Sequence, residues 1–381
     1  MTLRESPCGC RAGAPTNAPE GTSGDTVPRA CTDRSHRSRA WAELLRLPAL
    51  FSVPGDALAG AAATSVPPNS RTLLAIASSL CLYEAGMALN DWADRDVDAV
   101  ERPHRPLPSG RIRPAAAFTA ACALTGAGLA LAAGAGRPAI AVAAPLAATV
   151  WAYDLGLKHT PAGPVAMGAA RGLDLLLGAA ATSGSTRPAL PSAALLGTHT
   201  LAVTTVSRQE AQGGSPLPPL AALATTALLT RLVTRHSARV AGGSGQPIDP
   251  GVTGGRRLSI VPGRTRGRGQ ATVSGRTRGR GQATVSGPAG PPAVLHQGQE
   301  SGALLTTVLG AAYAATTARP YFHATLNPSP PLTQRAVGSG IRATIPLQAA
   351  LTARSRGTVT ALLIAALAPL GARFAKKVSV T

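Results

Sequence analysis

Aromatic residues are scarce: Trp, Tyr and Phe make up 3% of the 381 residues. That is thin for large water-soluble cores, where rings supply much of the buried area. Charge is scarce too, at 14% Asp, Glu, Lys and Arg, against roughly 25% in ordinary soluble domains. Acidic residues are the scarcer kind, 17 against 37 Lys and Arg, which leaves a formal net charge of +20. The five cysteines, Cys8, Cys10, Cys31, Cys81 and Cys122, make no disulfide framework. Cys8 and Cys10 lack a histidine at zinc spacing, and Cys81 and Cys122 read as small core residues inside apolar runs. The short apolar run of a secretory signal is also missing, so residues 1–40 are expected to be a disordered basic tail.

What the chain has instead is alanine, leucine, glycine and valine in long runs with few charges. Nine runs approach the length of a bilayer crossing: 48–65, 73–89, 115–134, 139–153, 163–182, 189–206, 217–233, 303–318 and 357–372. A tenth, 336–351, is weakly apolar and holds Arg342 and Gln348, as a re-entrant or interior helix would. Lipid cannot satisfy free backbone groups, so such runs must be helices. Small side chains suit close helix packing in lipid. The expected fold is all-α: a polytopic transmembrane bundle of about nine helices. Residues 41–235 carry its first part and 301–381 its last helices, on either side of a Gly/Arg-rich low-complexity insertion at 236–300.

Basic residues orient the bundle. With the N-terminal tail in the cytoplasm, Arg95, Arg102, Arg105, Arg111, Arg113, Lys158 and Arg208 share its side. Over the first six spans the other side receives only Arg71, Arg137 and Arg187. The chain is therefore expected in the cell membrane as a multi-pass protein. The insertion fits less well, because residues 241–299 are basic yet fall on the external side. Within it, residues 263–274 repeat identically as 275–286. A unit dominated by Gly and Arg cannot pack a core. No aromatics interleave its arginines, so it reads as a duplicated insertion rather than a nucleic-acid contact, and no nucleic-acid partner is expected.

The densest chemistry follows the second run. Asn90-Asp91-Trp92-Ala93-Asp94-Arg95-Asp96-Val97-Asp98 puts four carboxylates into a basic protein. Asp91, Asp94 and Asp98 follow the i, i+3, i+7 spacing of one helical face, Asn90 lies four before Asp94, and Asp96 falls on the opposite face. Carboxylates so placed repel one another unless a cation neutralises them. Mg²⁺ would do so while accepting phosphate oxygens from a substrate. The bland alternative is a solvated acidic helix end, offset by Arg95, Arg102 and Arg105.

This motif, followed by Arg102-Pro103-His104-Arg105-Pro106-Leu107-Pro108-Ser109-Gly110-Arg111, resembles the UbiA family of intramembrane aromatic prenyltransferases. The stretches from Tyr153 to Lys158 and from Gly163 to Asp174 support the likeness. The resemblance implies that Asn90, Asp91, Asp94 and Asp98 hold Mg²⁺ against a prenyl diphosphate. It also implies that Arg102, Arg105 and Lys158 hold diphosphate oxygens, and that Tyr153 occupies an aromatic position beside them. The isoprenyl group would pass to an unidentified acceptor, with the apolar bundle and membrane lipid around it.

The family's second aspartate motif is degenerate here. In Thr204-Thr205-Val206-Ser207-Arg208-Gln209-Glu210 only Glu210 is acidic, which is similar to a divergent, EboC-like branch. Arg208 is expected to replace part of a second metal's charge. That loss keeps a second reading open, a non-catalytic isoprenoid-binding or transport-associated protein on the same scaffold. A soluble all-α isoprenoid synthase is a third. Arg171 and Asp174, three apart in an apolar run, either serve substrate or neutralise each other. Asp56 and Glu84 also lie in apolar runs, and Glu84, seven before Asp91, is placed to share its stripe toward a cavity.

Overall fold

Proline and small polar residues mark where this chain enters helix. Among the described residues proline stands in the first turn of seven helices, where its missing N–H costs nothing. Another helix starts with a capping box, Asn69 accepting from the Thr72 amide while the Thr72 hydroxyl accepts from the Asn69 amide. The computed structural model describes residues 29–46, 51–210, 213–242, 294–355 and 357–378. Among the described residues there are twelve α-helices and no strand. They are α1 (Arg29–Leu44), α2 (Val53–Ala63), α3 (Ser70–Ala93), α4 (Arg95–Glu101), α5 (Pro114–Ala135), α6 (Arg137–Leu155), α7 (Gly163–Ser183), α8 (Leu190–Ser207), α9 (Leu217–Gly242), α10 (Val294–Leu326), α11 (Pro330–Arg354) and α12 (Thr358–Val378). The tandem repeat at 263–286 and most of the N-terminal tail lie outside the described residues.

Helix α3 packs on α5, α6 and α7; α7 in turn meets α2 and α8, and α11 closes the bundle against α8, α10, α12 and α2. Aromatic scarcity is answered by close backbone approach. A Cβ on Gly60 would strike the Leu175 carbonyl oxygen, and one on Gly178 would strike the Ala57 backbone. Helices α2 and α7 therefore touch main chain to main chain, which small residues alone allow.

Among the described residues six stretches are long and apolar enough to cross a membrane: α3, α5, α6, α7, Arg187–Ser207, and Leu217–Arg235 of α9. They coincide with the second to seventh sequence runs. The first run folds differently. Its helix α2 has 11 residues, a length of roughly 16 Å against a hydrocarbon core of about 30 Å. The runs at 303–318 and 336–351 lie inside α10 and α11, and the apolar part of α12, Thr358–Gly371, is short.

Candidate active site

The acidic motif sits where α3 breaks into α4. Asp94 is the hinge, ending one helix and starting the next, while the Asp94 and Asp98 amides still bond the carbonyls four residues back. The shared face therefore survives the break. Asp91 and Asp98 are buried, Asp94 is one-quarter exposed, and Asp96 points outward to Arg95.

Each inward carboxylate is met by a cation. Arg105 Nη1 lies 2.6 Å from Asp98 Oδ2 and 3.5 Å from Asp91 Oδ1. Arg102 Nη1 stands 3.6 Å from Asp98 Oδ1. Lys158 Nζ, from the short 3-10 turn after α6, contacts Asp94 Oδ1 at 2.6 Å, with His159 at 4.0 Å. Among the described residues no three acidic, His or Cys side chains converge into a ready-made metal cage. The donor set nonetheless suits a hard cation. Asp98 has both oxygens engaged, whereas among the described residues Asp91 Oδ2 and Asp94 Oδ2 make no hydrogen bond or ion pair. One or two carboxylates, completed by water and phosphate oxygens, is the usual protein share of an Mg²⁺ site.

Two members of this site carry no signal in the motif's spacing. Arg46, 45 residues before Asp91, donates to Asp91 Oδ1 at 3.1 Å. Its backbone is left-handed, φ +47°, just past the end of α1, a conformation uncommon for any residue with a Cβ. Asp154 is buried near the end of α6 and accepts from the Asn90 amide at 3.1 Å. It adjoins Tyr153 in sequence, yet only the packing of α6 on α3 brings it to Asn90. Four carboxylates, at 91, 94, 98 and 154, thus face four cations, at 46, 102, 105 and 158.

A cavity of about 270 Å³ opens from this site and runs between α3, α6 and α7. Arg46, Asn90, Tyr153 and Asp154 line its near end; Leu82, Met87, Leu146, Val150 and Met167 line its middle. Its far end is polar again, lined by Ser79, Arg171 and Asp174. Eleven residues of α3 separate Ser79 from Asn90, ~16 Å at the helical rise. Arg171 and Asp174 do not pair with each other there. Arg171 Nε forms an ion pair with Asp56 Oδ2 at 3.0 Å, and Asp174 accepts from the Ser79 hydroxyl. Gln348 of α11 donates to Asp56 Oδ1 at 2.6 Å. Glu84, by contrast, does not line the cavity; both its oxygens are buried without a hydrogen-bond partner.

The degenerate segment after α8 also comes to this end of the bundle. Arg208 donates to the Thr160 carbonyl beside Lys158. Glu210 is half-buried; burial pushes its carboxyl above the ordinary range, and the nearby Arg102 pulls it part of the way back. His104 and Arg111 stand apart from the carboxylates, Arg111 pairing with Glu43 at 2.7 Å and with the His104 carbonyl.

Residues 49–236 match the model of the UbiA prenyltransferase family. Digeranylgeranylglyceryl phosphate synthase from Methanopyrus kandleri is 36% identical over 130 residues, covering 32% of this chain and 45% of that protein. The enzyme of the same name from Ignicoccus hospitalis is 34% identical over 152 residues, covering 40% and 50%. Chloroplastic chlorophyll synthase from Oryza sativa is 33% identical over 130 residues, covering 32% and 35%. The chain thus spans half or less of these curated relatives. The structure of a UbiA homolog from Archaeoglobus fulgidus bound to GPP and Mg²⁺ superposes with a TM-score of 0.50 at 14% identity, covering 87% of this chain and 99% of that one. At that identity the likeness is one of fold. With six membrane-length helices, the protein is a multi-pass membrane protein.

Proposed function

We propose, from the premise that this chain carries a UbiA prenyltransferase family domain, that it transfers an isoprenyl group from a prenyl diphosphate to a second substrate, with Mg²⁺. One observation carries the reading: a cavity with an apolar middle ends at Asn90, Asp154 and Arg46, and Arg46 bonds directly into the cluster of carboxylates and cations. A prenyl diphosphate has that polarity, an anionic head on a hydrocarbon tail.

The residues divide the work by their contacts. Asp91 and Asp94 would hold the metal through their unengaged oxygens, with Asn90 and Asp98 beside them. Mg²⁺, when bound, supplies Lewis-acid stabilisation of the departing diphosphate. Arg46, Arg105, Arg102 and Lys158 turn from carboxylate to phosphate oxygens, a charge-assisted exchange that keeps each cation paired. As the carbon–oxygen bond to diphosphate breaks, these cations stabilise negative charge on the leaving oxygens. Asn90 and Asp154 fix each other across α3 and α6, and Tyr153 bounds the entrance. The middle of the cavity excludes water from the allylic carbon. Arg208 and Glu210 complete the rim, in place of a second acidic motif.

The second substrate must reach the carbon next to the diphosphate, at the near end of the cavity. The polar far end, where Arg171 meets Asp56 and Asp174 meets Ser79, has no part in the transfer step. The relatives named above carry glyceryl phosphate and chlorophyll in their names, so they leave the acceptor open. The arginine-rich stretch at 102–113 favours the cytoplasmic side of the cell membrane for the site.

Calorimetry on the full chain in detergent, titrating GPP with and without Mg²⁺, tests the reading. Metal-dependent affinity that disappears in an Asp91→Ala/Asp94→Ala variant supports it, and no metal-dependent affinity overturns it. The single acidic residue after α8 favours a second reading, a non-catalytic isoprenoid-binding protein. GPP binding without diphosphate release would select that one.

A further inference from the structure

A second concave site lies at the C-terminal end of α10, and nothing in the proposed reaction uses it. We propose that Arg319, His323 and Arg335 bind the phosphate of an anionic membrane-lipid headgroup. The three side chains line a cavity of about 210 Å³, together with Pro320 and Leu332. Arg319 and His323 are four apart on α10 and so share a face; Arg335 faces them from the second turn of α11.

Charge balance asks for an external anion. Residues 301–381 contain eight Lys and Arg and no Asp or Glu. None of the ion pairs among the described residues involves Arg319, His323 or Arg335. The backbone adds little, because Pro330 and Pro331 open α11 without N–H groups and the Thr333 amide bonds the Ser329 carbonyl. Phosphate is an anion that two guanidiniums hold well.

Position and flanks select a lipid as its carrier. The Gly214 amide donates to the Pro328 carbonyl at 3.0 Å, which ties the α10–α11 turn to the segment that follows Arg208 and Glu210. The cationic cavity therefore lies at the same end of the bundle as the acidic motif. Phe322 and Leu326, half and more exposed, stand beside it on α10 and offer an apolar surface for acyl chains. Arginines at that depth reach the headgroup layer while their stems stay in hydrocarbon.

The test is native mass spectrometry of the full chain in detergent, titrated with phosphatidylglycerol or with phosphatidylcholine. Wild type should retain one phosphatidylglycerol more tightly than any phosphatidylcholine. An Arg319→Gln/Arg335→Gln variant should lose that lipid by about thirty-fold in affinity, at the usual contribution of one basic side chain near a membrane surface. An Arg319→Lys/Arg335→Lys variant, which keeps the charge, should retain most of it and shows that a loss is not misfolding. Equal retention of both lipids by wild type, or an unchanged Gln variant, overturns the site. Displacement of the lipid by millimolar inorganic phosphate would assign the cavity to a soluble anion and overturn the lipid assignment. Mg²⁺-dependent GPP affinity should be the same in all three proteins, which separates this site from the proposed reaction.

Discussion

Asp94 and Asp98 make contacts that predict opposite consequences for the same substitution. Asp98 is 2% exposed, and both its oxygens are taken by arginines, at 2.6 and 3.6 Å. Removing its charge strips Arg105 of its shortest partner. A buried pair broken on one side costs about 3–5 kcal/mol. Arg105 keeps 21% exposure and a second contact to Asp91, so Asp98→Asn should cost less, on the order of 2 kcal/mol. Asp94 is partly exposed, contacts one cation, and leaves Oδ2 unengaged. Asp94→Asn should cost at most about 1 kcal/mol of stability. As a proposed metal ligand, however, it should lose at least about 100-fold in Mg²⁺-dependent GPP affinity, beyond the 10–100-fold typical of a ligand's supporting partners. Thermal melts in detergent measure the first quantity and calorimetry the second. If Asp94→Asn keeps its metal-dependent affinity, or melts as low as Asp98→Asn, the division into metal holder and arginine clamp is wrong.

Other substitutions probe separate parts of the same picture. Arg46→Gly sets relief of a left-handed backbone against loss of an ion pair to the buried Asp91, so stability should fall by no more than about 2 kcal/mol, yet GPP binding should weaken by about tenfold or more, as loss of a charge-assisted bond implies; melting and calorimetry on one preparation check both. Lys158→Met should weaken GPP binding only when Mg²⁺ is present, since Lys158 otherwise stays on Asp94; titrations with and without metal decide. Glu84→Leu should raise stability by about 1–3 kcal/mol, because it removes a buried carboxyl whose oxygens have no partner, and a lowered melting temperature would contradict that. Glu210 has its folded-state carboxyl raised above the ordinary 4.5. Folding then favours its protonated form, so its contribution to stability falls as pH rises from that value. Glu210→Gln should therefore gain in melting temperature relative to wild type at pH 8 but not at pH 5.

The residues that spacing could reveal were those set by a single helix. The i, i+3, i+7 pattern of Asp91, Asp94 and Asp98 stays on one face through the break at Asp94, because the backbone bonds there keep helical register. Contacts between helices were illegible for the opposite reason. Arg46 reaches Asp91 across 45 residues, Asp154 meets Asn90 across 64, and Asp56 meets Gln348 across 292. No local periodicity encodes such distances. The pairing of Arg171 and Asp174, plausible from their spacing of three, gave way because α2 and α3 present closer partners, Asp56 and Ser79. Span counting met its limit at the ends, where α2 is too short to cross and α10 and α11 mix polar groups into apolar helix.

The arginine–carboxylate pairing bears on how a membrane protein could keep a site for a polyanion, as the proposed function requires. Unpaired charges at the edge of a low-dielectric bundle are costly on either side. A site of cations alone would be expensive while empty, and a site of carboxylates alone would repel the diphosphate it must admit. Opposing four of each lowers both costs, because each cation has a carboxylate partner, and Asp154 has the Asn90 amide, before substrate arrives. On the proposed reading, the carboxylates would hold Mg²⁺ and the cations the phosphate oxygens, so pairs would be exchanged rather than created. The same reasoning explains why Lys158, Arg46 and Arg105 come from three different segments around the α3–α4 break. Held by separate backbones, each could turn from an aspartate to a phosphate oxygen without unwinding the helix that carries the proposed metal ligands.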